Sequence, residues 1–209
     1  MDIIKQQEWF DSLKKELEQA YLQYTEPWKQ SGFSGPEDRW IRCRKPIVDC
    51  IEKLGTFLDI GCANGYLLEC ILKWTSKRDL NIIPYGLDLS AKLITLAKQR
   101  LPKYKNNLYV GNGWNWKNPI KFDYVGTEIV YVPECLQKEY IKRIIDLYLE
   151  EDGNLLLTEY RSKNDDVNKP WIDKILIDWG FNITKQVSGF DNDKELTRVL
   201  VIYKKSNQI

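Results

Sequence analysis

Apolar residues recur at Ile3, Phe10, Leu13, Leu17 and Tyr21, with Lys14, Lys15, Glu16 and Glu18 between them. That spacing of three to four predicts an amphipathic helix from about residue 2 to residue 24, ended by Pro27. The stretch 30–36 carries two glycines and a proline and predicts a loop. Pro36 can open a second helix to about residue 54, with Trp40, Ile47, Val48 and Ile51 inward and a kink at Pro46. From Thr56 onward short apolar runs alternate with helical stretches. Strands are expected near 56–60, 82–87, 107–111, 122–127 and 153–159, and helices near 65–75, 90–100, 134–150 and 168–179. The tail, 181–190 and 196–204, predicts two strands joined by the polar turn 191–194. Such alternation implies parallel pairing with helices on both faces of a doubly wound α/β sheet, closed by an antiparallel hairpin.

Within this pattern one segment stands out: Phe57-Leu58-Asp59-Ile60-Gly61-Cys62-Ala63-Asn64-Gly65, followed by an amphipathic helix. Glycines let backbone approach a ligand closely, and a helix N-terminus brings free N–H groups and partial positive charge to the same spot. A nucleotide-like ligand or a carboxylate is expected there. No Gly-Lys-Ser/Thr follows, so a P-loop is excluded. Counting from Gly61, the dinucleotide spacing Gly-x-Gly-x-x-Gly would need glycine at Ala63 and Tyr66, so that fingerprint fails too. The next strand ends in Asp88-Leu89, where an acid can take both hydroxyls of a ribose. The third ends in Asn112-Gly113-Trp114, whose amide can meet an adenine edge and whose indole can stack on a ring.

Composition narrows the chemistry. The 209 residues contain no His, which removes histidine triads, histidine bases and histidine metal ligands. The five cysteines include no C-x-x-C pair, so no metal is expected and free thiols in a reducing cytoplasm are the simpler reading. The first residues form no signal peptide, and no apolar run of about 18 residues exists for a membrane span. A formal net charge of +1 argues against a nucleic-acid partner. The basic cluster Lys98, Arg100, Lys103 and Lys105 is read as a solvated helix end.

From about Thr56 to Lys205 the chain resembles the class I S-adenosylmethionine-dependent methyltransferases. The likeness rests on the succession of strands, the Asp59/Gly61/Gly65 turn, Asp88, the Asn112 position and the final hairpin. It implies a Rossmann-like, mostly parallel seven-stranded sheet, with residues 1–54 as a helical extension or lid and 55–209 as one cofactor-binding unit. It also implies S-adenosyl-L-methionine as cofactor, its methionine part at Asp59, Gly61, Cys62, Ala63, Asn64 and Gly65. The ribose would fall at Asp88 and Leu89, the adenine at Asn112, Gly113 and Trp114. The Asn112 position is commonly Asp in that family. The segment 30–35 with Arg39 and Trp40 resembles the leader of a bacterial small-molecule-type subgroup and names no substrate.

Ligands of open α/β sheets lie at the carboxyl ends of the strands. Glu128 is therefore the first candidate for a base or a cofactor contact, and Tyr131 and Tyr160 are the next candidates. Trp40, Tyr131 and Arg161 are candidates for holding the acceptor, Arg161 through a carboxylate. The Asp/Asn-Pro-Pro-Tyr run of base amino-methyltransferases is missing from 126–133, and Glu134 separates Pro133 from Cys135, unlike the cytosine-carbon enzymes. A small-molecule acceptor methylated on O or N, by a monomer or homodimer, is the expectation. An RNA- or protein-modifying enzyme and a non-catalytic cofactor-binding protein stay open as alternatives.

Overall fold

The computed structural model of the chain describes residues 2–117, 120–166 and 168–204. The expected end of the cofactor-binding unit, 205–209, lies outside them. Seven strands make one sheet: β1 (Gly55–Ile60), β2 (Ile82–Asp88), β3 (Leu108–Val110), β4 (Phe122–Thr127), β5 (Leu149–Tyr160), β6 (Ile183–Asp191) and β7 (Lys194–Tyr203). Their order is β3-β2-β1-β4-β5-β7-β6. The first five pair in parallel, and β7 runs antiparallel to both β5 and β6. Phe57 and Leu58 of β1 are both fully buried although they point to opposite faces, as a central parallel strand requires.

Among the described residues six α-helices flank the sheet: α1 (Ile3–Tyr21), α2 (Glu37–Arg44), α3 (Tyr66–Ser76), α4 (Ala91–Arg100), α5 (Gln137–Leu147) and α6 (Ile172–Asp178). Phe10 of α1, Ile141 and Ile144 of α5 and Leu176 of α6 pack with Leu58 and Ile60 on one face. Leu68 and Ile71 of α3 and Ile94 and Ala97 of α4 pack with Phe57 on the other. Asp2 caps α1, accepting from the Lys5 N–H at 2.9 Å. Ser90 caps α4 through Leu93 N–H at 3.2 Å.

Several boundaries differ from expectation for local reasons. The first helix stops at Tyr21 rather than near residue 24, with Leu22 as its C-cap. The second ends at Arg44, and a 3-10 turn (Lys45–Cys50) follows, because Pro46 lacks the N–H that an α-turn needs. The expected 134–150 helix opens as a 3-10 turn, and its last residues belong to β5. Leu149 is buried opposite Phe122, so the strand begins four residues before the predicted 153, across a bulge with Asp152 at φ +63°. Trp171 is the N-cap of α6, which begins only at Ile172. The final turn narrows to Asn192 and Asp193, with Asn192 in the left-handed region at φ +53°.

Candidate functional site

Between β1 and α3 the chain visits the left-handed region three times, at Gly61 (φ +87°), Ala63 (φ +46°) and Gly65 (φ +74°). Gly61 cannot be replaced without displacement, because a Cβ there would run into the Tyr131 ring. The turn leaves few of its N–H groups free, contrary to the expectation from sequence. Gly61 and Cys62 N–H both donate to Leu87 O, at 2.8 and 3.2 Å. Ala63 N–H donates to Asp88 Oδ2 at 2.9 Å and Gly65 N–H to Cys62 O at 2.9 Å. Tyr66 N–H, the first of α3, donates to Asn64 Oδ1 at 3.1 Å. The N–H groups of Gly61, Cys62, Ala63, Gly65 and Tyr66 are thus occupied, which leaves few to cradle a phosphate.

Side chains of α1 roof two cavities at the carboxyl ends of the strands. The larger, about 280 Å³, is bounded by Asp59, Gly61, Glu128, Tyr131, Tyr160 and Arg44. The smaller, about 50 Å³, is bounded by Asp88, Leu89, Asn112, Gly113, Trp114 and Tyr140. Leu13, Leu17 and Tyr21, the inward stripe of α1, face both. Glu18 holds this roof in place, accepting from Ser90 Oγ at 2.7 Å and pairing with Lys92 at 2.9 Å.

The larger cavity is rich in acceptors. Asp59, paired across β1 with Gly86 and Gly126, is buried, and its Oδ2 has no hydrogen-bond partner. Burial, then the negative charges of Glu128 and Asp88, push its carboxyl up to about 7, against the pull of Arg44. Burial also raises Asp88, to about 6, opposed by the Ser90 and Ala63 N–H bonds. Glu128 is raised as well, by burial first, with Arg44 and Tyr131 opposing. Tyr131 donates its hydroxyl to Glu128 Oε1 at 2.8 Å. Burial lifts the Tyr131 and Tyr160 phenols well above the usual range, so both stay protonated donors.

The remaining sequence candidates divide into those with free groups and those already engaged. Asn64 is fully buried and donates to Pro27 O at 3.0 Å and Gln30 Oε1 at 2.9 Å, tying the turn to the N-terminal loop. Cys62 packs beneath Gly86, and all five cysteines are free thiols. Asn112 Oδ1 accepts from Trp114 N–H at 2.9 Å, which leaves its amide nitrogen for a ligand edge. The Arg143 guanidinium lies 5.0 Å from the Trp114 ring centre. Trp40 is completely buried against Tyr66 and Trp74, its indole N–H donating to Ser31 Oγ at 3.0 Å. It meets the cavity only as a wall. Arg161 is engaged at every nitrogen: Nε with Glu159 Oε1, the other two with Lys169 O and Pro170 O, each at 2.9 Å. Arg100 of the basic cluster turns inward to Asn64 O and Glu69.

Sequence reading missed Arg44. It follows the buried Trp40 by four residues on α2, and that spacing on one helix face was the available signal. Its guanidinium lies 3.3 Å from the Tyr160 ring centre and has no hydrogen bond or ion pair among the described residues. An unpartnered carboxylate oxygen and an unpartnered guanidinium therefore face one cavity. That pairing complements a zwitterion, and it does not suit a pyrophosphate, which would meet Asp59, Asp88 and Glu128 and few free N–H groups.

No family model and no curated protein matches the sequence. Solved structures do match. The chain is similar to the N-methyltransferase NodS of Bradyrhizobium japonicum, solved with S-adenosyl-L-homocysteine, at 16% identity and TM-score 0.64, covering 92% of this chain and 98% of that one. It is similar to magnesium protoporphyrin IX methyltransferase of Synechocystis with bound S-adenosylmethionine, at 18% identity and TM-score 0.63, covering 94% and 97%. It is also similar to 1,6-didemethyltoxoflavin-N1-methyltransferase of Burkholderia thailandensis, solved with 1,6-didemethyltoxoflavin and S-adenosylhomocysteine, at 12% identity and TM-score 0.70, covering 96% and 91%. At these identities the likeness is one of architecture, and the chain has the Rossmann-like fold of the S-adenosylmethionine-dependent methyltransferases.

Proposed function

We propose that this protein is an S-adenosylmethionine-dependent methyltransferase that acts on an oxygen or nitrogen of a small molecule. The observation that carries the reading is the orphaned Asp59 Oδ2 opposite the unpartnered Arg44 in a cavity bordered by the Gly61–Gly65 turn. The similar solved enzymes, which act on small molecules such as magnesium protoporphyrin IX and 1,6-didemethyltoxoflavin, support it.

Asp59 would hold the cofactor's ammonium and Arg44 its carboxylate. Asp88 would take the ribose hydroxyls with the lone pairs left by Ala63 and Ser90 N–H, and Trp114 and the Asn112 amide would border the adenine. When bound, the cofactor supplies a methyl group on a sulfonium, a carbon already activated for displacement. The protein's part is then placement, which alone can contribute several kcal/mol. Tyr131 orients Glu128 by its hydrogen bond. Glu128, raised in affinity for a proton by burial, can accept one from an acceptor that must lose it. The stripe of α1 over both cavities supports residues 1–54 as a lid on the 55–209 unit.

A melting experiment tests the cofactor. S-adenosylmethionine or S-adenosylhomocysteine at 100 times its dissociation constant should stabilise the protein by about 2.7 kcal/mol. That corresponds to about 5–10 °C for a chain of this size. NAD should give no shift. A melting temperature unmoved by millimolar S-adenosylmethionine would overturn the proposal.

A further inference from the structure

A third cavity, about 180 Å³, lies beside the larger one and shares Arg44 and Tyr160 with it. Among the described residues four cations border it, Arg39, Arg44, Arg161 and Lys163, and no carboxylate does. Two of the four are neutralised or engaged elsewhere. Arg161 pairs with Glu159 and two carbonyls, and Lys163 pairs with the buried Asp191 carboxylate. Arg39 and Arg44 have no hydrogen bond or ion pair among the described residues, and Arg39 Nε is buried without any partner. Both guanidiniums pack on the Phe33 ring, at 4.8 and 5.7 Å from its centre. The Arg39 guanidinium packs closely over Gly35, where a Cβ would meet it.

Two guanidiniums gathered on one ring repel each other, and a buried N–H without a partner costs free energy. An oxyanion removes both costs at once, because the guanidinium fork matches pairs of carboxylate or phosphate oxygens. With Arg44 turned to the cofactor's carboxylate, Arg39 is the group left over. We propose that the acceptor carries an oxyanion, a carboxylate, phosphate or sulfate, that enters the side cavity and is held chiefly by Arg39. The inference rests on the methyltransferase reading, because it places the rest of the acceptor past Tyr160 in the larger cavity. Arg39 is then a specificity-determining residue.

The test uses the full chain with inorganic phosphate as probe, at constant ionic strength set with sodium chloride. With S-adenosylhomocysteine saturating, phosphate should raise the melting temperature saturably beyond the chloride control. Arg39→Gln should weaken that phosphate effect about tenfold or more, Arg39→Lys should restore part of it, and both should bind S-adenosylhomocysteine within twofold of the wild type. Among small molecules that accept labelled methyl, free acids should be favoured over their neutral amides, and Arg39→Gln should erase that preference through KM rather than kcat. A phosphate effect equal in wild type and Arg39→Gln overturns the proposal. So does phosphate that competes with S-adenosylhomocysteine and is lost only in Arg44→Gln, which would make the anion site the cofactor's own. Failure of the wild type to bind S-adenosylhomocysteine would instead sink the cofactor reading, and it is read before any phosphate is added.

Discussion

Asp59→Asn should make the protein more stable and a poorer binder of cofactor at the same time. The native carboxyl is pushed from the ordinary 3.8 to about 7, by burial first and then by Glu128 and Asp88. A group raised in this way contributes its full stability below the unfolded value of 3.8 and loses it as pH climbs to about 7. At about 1.36 kcal/mol per pH unit, the loss is about 4 kcal/mol at pH 8 and about 2 kcal/mol at pH 5. Asparagine removes that loss but buries a carboxamide whose unmet hydrogen bonds cost about 1–3 kcal/mol at every pH. The cleaner quantity is therefore the difference between pH values. The stabilisation of Asp59→Asn over wild type should be about 2–3 kcal/mol greater at pH 8 than at pH 5, or about 5–10 °C in melting temperature. The assay is thermal unfolding of both proteins without ligand at the two pH values, followed by titration with S-adenosylmethionine at pH 8. Binding should weaken about tenfold or more, equivalent to about 1.4 kcal/mol. A stability difference that is the same at both pH values would refute the buried, unpartnered carboxylate, and unchanged affinity would refute its role toward an ammonium.

Asp88→Ala should weaken cofactor binding by about 1.5–3 kcal/mol in calorimetric titration, the size of hydrogen bonds to a charged group. It should also lower stability, because Ala63 and Ser90 N–H lose their acceptor; an unchanged dissociation constant would leave Asp88 a purely structural clasp. Glu18→Ala removes both links of α1 to α4, the bonds to Ser90 and Lys92. Hydrogen exchange of α1 should quicken and S-adenosylhomocysteine should dissociate about tenfold faster in stopped flow; equal rates would detach the roof from cofactor retention.

The sheet was legible because its strands are short apolar runs with glycine or proline punctuation, and burial on both faces leaves β1 little alternative. The start of β5 was not. The predicted helix took in Glu150 and the predicted strand began only at 153, leaving Glu151 and Asp152 between them, and only the pairing of Leu149 with Phe122 assigns all three to a strand. The 3-10 turn after α2 was half legible: Pro46 announced the kink but not the tighter winding that follows it. Asn64 shows the limit of local motifs. Its position in the turn invited a ligand role, yet its partners, Pro27 and Gln30, lie 37 and 34 residues away and meet it only in the folded chain.

Charges were harder to place than glycines for a physical reason. A charged side chain in sequence carries no sign of whether a partner will reach it, and the partner decides its chemistry. Arg161 looked like an acceptor ligand and is engaged by Glu159, two positions away on the same side of the chain. Arg44 gave no signal of its own in the sequence and borders the cavity with no hydrogen bond or ion pair among the described residues. The absence of histidine acquires meaning from the same electrostatics. Asp59, Asp88 and Glu128 are all shifted upward by burial, so an empty cavity favours retaining protons that an ordinary carboxyl would give up. A fixed cation entering the cavity reverses that preference without any histidine. Cofactor affinity should therefore rise from pH 5 to pH 8, steepest around 6–7, as bound cation and ionised carboxylates stabilise one another. A cation bound in the cavity would lower the proton affinity of all three carboxylates, Glu128 included, so a bound donor would extend their ionised range toward lower pH.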